Sequence, residues 1–264
     1  MSRWAARIEY LGTAYSGWQR LAHIRSVQQE VETAIASVAA HPVVVHAAGR
    51  TDAGVHGLGQ VIHFDSPSIR SERGWMLGCN VSLPPDISVR WVMPVADHFH
   101  ARYKAFARHY RYVIHNSSAR SAMALHRAAF WPRPLDAGAM HQAARCLIGE
   151  QDFSALRDSE CQSSTPMRKV TRVDVWRAGE FVVLDVSANA FLHHMVRNIA
   201  GTLMEVGMGR QPVAWVAQVL ASRDRKLAGM TAPAGGLTFI GPEYPAEFGL
   251  PEMPKPWFPA TMGS

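Results

Sequence analysis

Val27, Val31, Ile35 and Val38 recur at helical spacing along one face, which predicts an amphipathic helix over residues 26–39. Ser26 followed by Gln29 supplies the capping box that would start it. Short apolar runs read as strands at residues 3–10, 43–47, 59–65, 87–95 and 106–115. The last of these places Phe106, Arg108, Tyr110, Tyr112 and Ile114 on one side. A short helix is expected over residues 72–79. After the proline-broken stretch 131–134, the pattern predicts a helix over residues 136–148 ended by Gly149. A hairpin of residues 170–176 and 181–188 follows, turned by Ala178-Gly179, then a long helix over 191–206. Pro212 opens a further helix to about residue 221, and 237–240 reads as a late strand.

Strands and helices recur in this order in both parts of the chain. The class is therefore α+β: two related α/β halves forming a mixed, mostly antiparallel central sheet with helices packed on one face. The expected divisions are an N-terminal half, 1–115, a C-terminal half, 116–250, and an extended proline-rich tail, 251–264. No repeat is visible at the level of individual residues.

Composition narrows the function classes. The 264 residues are 48% hydrophobic and 18% charged, as in globular chains. No apolar run approaches the roughly 20 residues a membrane helix needs, and the opening MSRWAARIEY lacks a signal-peptide core, so a cytoplasmic location is expected. Cys79, Cys146 and Cys161 are far apart and outside CxxC spacing, which predicts reduced packing residues. Lys+Arg 27 against Asp+Glu 21 gives a net charge of +6, favouring a polyanionic partner. Arginine dominates the basic residues. In residues 102–112 it is interleaved with tyrosines and Phe106, a mixture that can pair with phosphates and stack on bases.

The chemistry concentrates in AGRTDAGVHGLGQV, residues 48–61. One carboxylate, Asp52, stands beside Arg50 and Thr51 among small residues, and Gly49 and Gly54 permit backbone angles or close approaches that a side chain would forbid. An ordinary polar turn between strands has the same composition. A carboxylate that is to stay ionised in a pocket needs a counter-charge. Arg197, in NAFLHHMVRNIAG, is the candidate, with a surface arginine as the plain alternative. Thirteen histidines raise the question of a metal, but adjacent His193 and His194 would project about 100° apart on a helix, and no HExxH or Cys/His ligand spacing occurs. The glycines also fail to form a GxxxxGKS/T or GxGxxG phosphate cradle. Neither metal nor cofactor is expected.

GRTDAGVH followed by GQV resembles the active-site segment of the tRNA pseudouridine synthase A family. Further similarity lies in GWQR (17–20), SVQ (26–28), FHAR (99–102), HYRY (109–112), HHMVRN (193–198) and GGL (235–237), so the likeness covers nearly the whole chain. It departs at Leu11, where an acidic residue is usual, and at Lys104, where serine is common. The resemblance implies the pseudouridine synthase fold, with catalytic Asp52, Tyr110 and Arg197. Arg50 would help displace the target base, and with Tyr110 and Arg197 would bind substrate. It implies isomerisation of uridines 38 to 40 in the tRNA anticodon stem-loop by a homodimer. Attack by Asp52 at the base, attack at the sugar, and an elimination path all stay open. A catalytically silent RNA-binding or RNA-folding protein with the same basic surface is the alternative.

Overall fold

The computed structural model describes residues 1–256, so the last eight residues of the expected tail lie outside the described residues. The chain divides into two compact units, the first formed by Met1–Phe106 with Phe239–Lys255 and the second by the intervening residues 107–238. Among the described residues, no helix is long and apolar enough to cross a membrane.

In the first unit, β1 (Ser2–Tyr10), α1 (Val27–Ala39), β2 (His46–Ala47), β3 (His56–Ser66), α2 (Glu72–Ser82) and β4 (Ile87–Pro94) follow one another. β1 lies between β3 and β4 and is antiparallel to both, with Trp4 opposite Phe64 and Pro94. Alternation along β1 decides what covers each face. Trp4, Ala6, Ile8 and Tyr10 share a core with Val27, Val31 and Ile35 of α1 and with Trp75 and Cys79 of α2. Ala5 and Val61 lie instead under Phe99, Ala101 and Phe248. The helices thus take one face of this sheet and loop residues take the other. Each fully buried aliphatic of the α1 stripe contributes about 1.5–3 kcal/mol, and Ser26 Oγ accepts the Gln29 N–H at the helix start. The three cysteines are free thiols, and burial pushes Cys79 up to about 12.

The second unit contains β5 (Ala107–Asn116), β6 (Ala129–Trp131), α3 (Ala137–Ala144), β7 (Gly149–Asp152), β8 (Met167–Ala178), β9 (Phe181–Ala188), α4 (Met195–Gly207) and α5 (Trp215–Ser222). Its strands run in the order β5, β9, β8, β7, all antiparallel, and β6 adds a parallel pairing on β5. Gly179 takes φ +58 in the β8–β9 turn, an angle glycine adopts without strain. The predicted 136–148 helix ends earlier: α3 closes at Ala144 and tightens into a 3-10 turn, Arg145–Leu147. β10 (Leu237–Glu243) returns the chain to the first unit beside β3. Both units are α+β, with mostly antiparallel strands against packed helices, and the β5–β6 pairing makes the arrangement mixed.

A buried histidine is expected to make the first unit sensitive to acid. His63 is 2% exposed, its Nδ1 accepts the Ala101 N–H at 3.1 Å, and the rings of His100 and His46 lie 4.5 and 4.9 Å away. Burial, then repulsion from His100, His46 and Arg3, lowers its pKa to about 3. The folded chain therefore keeps His63 neutral while the unfolded chain takes up a proton near 6.5, so stability is full above that value and falls as pH drops toward 3. The loss approaches about 1.4 kcal/mol per pH unit. Urea titrations at pH 7 and pH 5 should differ by about 2 kcal/mol more in the wild type than in His63→Gln, whose carbonyl can still accept the Ala101 N–H. Equal differences would show that His63 is not the acid-sensitive group.

Candidate active site

Asp52 stands on the connection from β2 to β3, and its backbone is tied on both sides. Trp18 N–H donates to Thr51 O at 2.9 Å, Val55 N–H to Asp52 O at 3.1 Å, and Gly54 N–H to Tyr15 O at 3.3 Å. The hydroxyls of Thr51 and buried Tyr10 share a 2.8 Å hydrogen bond, and Gln60 Nε2 donates to Gly49 O at 2.6 Å. Burial pushes the Tyr10 phenol up, so it stays protonated and able to donate. A loop fixed by so many bonds presents a half-buried carboxylate in one place, which is the preorganisation covalent or proton-transfer chemistry needs.

The glycines serve this loop unequally. Gly54 takes φ +77, whereas Gly49 has room, since a Cβ there would meet only Phe239 at 4.0 Å. The stricter requirement is Gly17, at φ +97, where a Cβ would lie 2.7 Å from Thr51 O. Gly17, Tyr10 and Gln60 are the supporting residues that sequence reasoning missed. The GWQR segment was a signal for Gly17, but nothing local ties it to residue 51. At the two departures, Leu11 is exposed and its N–H bonds Asp86 O, while Lys104 N–H bonds His100 O.

Tyr110 and Arg197 belong to the second unit. Tyr110, on β5, is half-buried with Phe191 packed edge-on at 5.0 Å. Arg197 lies in the first turn of α4, and its Nε–H donates to Ala232 O at 2.7 Å. The guanidinium also acts on Tyr112: burial pushes that phenol well up and Arg197 pulls it partly back. Tyr112 donates its hydroxyl to Pro233 O at 2.8 Å.

α4 begins at Met195, four residues after the expected start, because His194 adopts the left-handed conformation at φ +59. His193 and His194 therefore precede the helix, and the 100° projection expected of helical neighbours does not apply. Their rings stack with centroids 3.9 Å apart, and His194 Nδ1 lies 2.7 Å from Asp158 Oδ2. Burial raises the Asp158 carboxyl, but the Glu160 N–H and His194 outweigh it and hold it below its ordinary value.

Part of the basic, aromatic stretch is used internally. Arg111 is buried in a two-point pair with Asp185, at 2.7 and 2.8 Å, over the Trp176 ring. Tyr112 is buried too, and Arg108 donates to Asn189 O. Arg102 and Tyr103 are exposed.

A sequence model of one family, described as tRNA pseudouridine synthase, matches residues 6–104 and 143–245. The chain belongs to the tRNA pseudouridine synthase family. Arg50 and Asp52 lie in the first matched stretch, Arg197 in the second, and Tyr110 between them. Among curated relatives, tRNA pseudouridine synthase A of Aeromonas hydrophila is 56% identical over 252 residues, 96% of this chain and 94% of that protein. Its counterpart from Aeromonas salmonicida is 54% identical over the same shares. That of Citrobacter koseri is 52% identical over 95% of this chain and 93% of its own. A solved Cbf5-Nop10-Gar1 complex matches at 12% identity and TM-score 0.35, covering 89% of this chain and 48% of that one.

Proposed function

We propose that this tRNA pseudouridine synthase family member isomerises uridine to pseudouridine at positions 38 to 40 of the tRNA anticodon stem-loop, with Asp52 as the essential carboxylate. The family match across both stretches of the chain is the observation that carries this reading. The reaction breaks the bond from ribose C1′ to uracil N1, turns the base, and joins C1′ to C5. The C5 proton leaves and N1 gains one, so nothing is added or lost overall. Such a balance requires no redox partner. A carboxylate contributes either by covalent attack or by taking a proton, and the tethered 49–56 backbone supports that role for Asp52.

Tyr110 is assigned stacking on the uracil and help in removing the ring proton, Arg197 the balancing positive charge, and Arg50 displacement of the base from its helix. Unstacking the uridine costs a few kcal/mol, and one aromatic stacking contact returns about 1–3 kcal/mol. The edge-on Phe191 restrains the Tyr110 ring, which supports a stacking platform. Recognition is then by RNA shape and phosphates, consistent with the arginine-rich +6 chain, and the working form is a cytoplasmic homodimer.

Tritium release from tRNA labelled at uracil C5 tests the reaction directly. The chain should release tritium from labelled tRNA and none when positions 38 to 40 are cytidine. Undiminished release from the cytidine-substituted tRNA would overturn the assigned positions, and no release from either would overturn the activity.

A further inference from the structure

Arg197 is gripped twice by one residue of a distant segment. Its Nε–H donates to Ala232 O at 2.7 Å, and Ala232 N–H donates back to Arg197 O at 3.1 Å. The 225–232 segment has little regular structure of its own, only a 3-10 turn at Arg225–Leu227. Side chains hold it against α4. Asn198, 0% exposed, donates through Nδ2 to Leu156 O at 2.9 Å. Its Oδ1 accepts from Thr231 Oγ1 at 2.7 Å and from Arg225 Nη2 at 3.0 Å. Arg225 also reaches Thr231 Oγ1 at 3.0 Å and Gly229 O at 2.8 Å. One turn further along, Thr202 Oγ1 accepts the Gly229 N–H at 3.1 Å. The contact is backbone on backbone: a Cβ at Gly201 would lie 1.7 Å from Met230 O.

We infer that Asn198 and Thr231 are positioning residues for Arg197, acting through the Ala232 carbonyl. An unrestrained arginine has many rotamers, and a bond to Nε–H fixes the plane of its fork. Ala232 directly follows Thr231, so the Thr231–Asn198 bond sets where that carbonyl stands. Asn198 is buried and Thr231 and Arg225 are half-buried, so bonds among them are partly shielded from water and hold one geometry more strictly than exposed bonds would. This inference rests on the reading that Arg197 takes part in the uridine isomerisation.

Thr231→Val tests it with little change in shape, where truncation of Asn198 could prevent folding. In the tritium-release assay, kcat should fall about tenfold or more while KM for tRNA stays within about threefold. Thr231→Ser, which keeps the hydroxyl, should restore kcat. In an Arg197→Lys background, the same Thr231→Val change should alter kcat by less than about threefold, because the positioned fork is gone. Unchanged kcat in Thr231→Val, or an equal fall in both backgrounds, would overturn the positioning role and leave the network purely structural. Full activity of Arg197→Lys alone is a different result: it would remove Arg197 from the reaction and this inference with it.

Discussion

Asp52→Asn is expected to lower tritium release from labelled tRNA by at least about 10³-fold, roughly 4 kcal/mol of transition-state stabilisation. Binding of the same tRNA should stay within about tenfold, about 1.4 kcal/mol. Asparagine matches aspartate in shape but is neither a nucleophile nor a proton acceptor of comparable strength, so a reaction that depends on the carboxylate stops. Several bonds that shape the loop do not use the Asp52 side chain. Trp18 to Thr51, Val55 to Asp52 and Gly54 to Tyr15 are all backbone pairs, and the Thr51 hydroxyl is held by Tyr10. A lost activity would therefore report lost chemistry and not a collapsed loop, which near wild-type unfolding and RNA affinity would confirm. The same pair of measurements separates the enzyme from a silent RNA-binding protein, for which Asp52 has no special role. If turnover survives in the asparagine variant, Asp52 is not the catalyst.

Local signals made some elements readable and left others hidden. α1 was legible because Val27, Val31 and Ile35 step along one face and Ser26 caps its start. The β8–β9 hairpin was legible from Gly179 at its turn. β7 was not: Gly149–Asp152 reads GEQD, with no apolar alternation, and becomes a strand only because β8 offers it backbone partners. The start of α4 was misplaced because Phe191 continues the four-residue apolar step into Met195, while the left-handed His194 that interrupts it has no marker in sequence. The site divides in the same way. Asp52 and Gly54 announce a loop by composition. Gly17 is required by a carbonyl far along the chain, and Arg197 is anchored by the carbonyl of Ala232, a group every residue possesses. Such contacts are made by the fold and leave no trace in residue type. The basic run at 102–112 shows the converse: its pattern suggested an RNA surface, yet burial decided that Arg111 would face Asp185.

That pair gives the largest expected stability effect. Arg111 on β5 and Asp185 on β9 are directly opposite in the antiparallel ladder, and the guanidinium is only 3% exposed. Both its Nε and Nη2 donate to the carboxylate, and its carbon lies 5.2 Å from the Trp176 ring centre. Asp185→Ala takes away the negative charge while the positive one stays buried, a change that costs about 3–5 kcal/mol. The Asp185 side chain is 21% exposed, so water partly screens the pair and the lower end, about 3 kcal/mol, is expected. Urea unfolding measures it. Asp185→Asn keeps the shape and one acceptor and should lose about half as much. The decisive comparison adds Arg111→Leu to Asp185→Leu: with both charges of the pair removed, the double variant should regain most of the stability that Asp185→Leu alone loses. If Asp185→Ala costs less than about 1 kcal/mol, the pair behaves as a solvated surface bridge. Tyr110 precedes Arg111 on the same strand, opposite Val186, so a loosened ladder here would also move the proposed stacking ring. Asp185→Ala should accordingly lower kcat even at temperatures where the variant is fully folded.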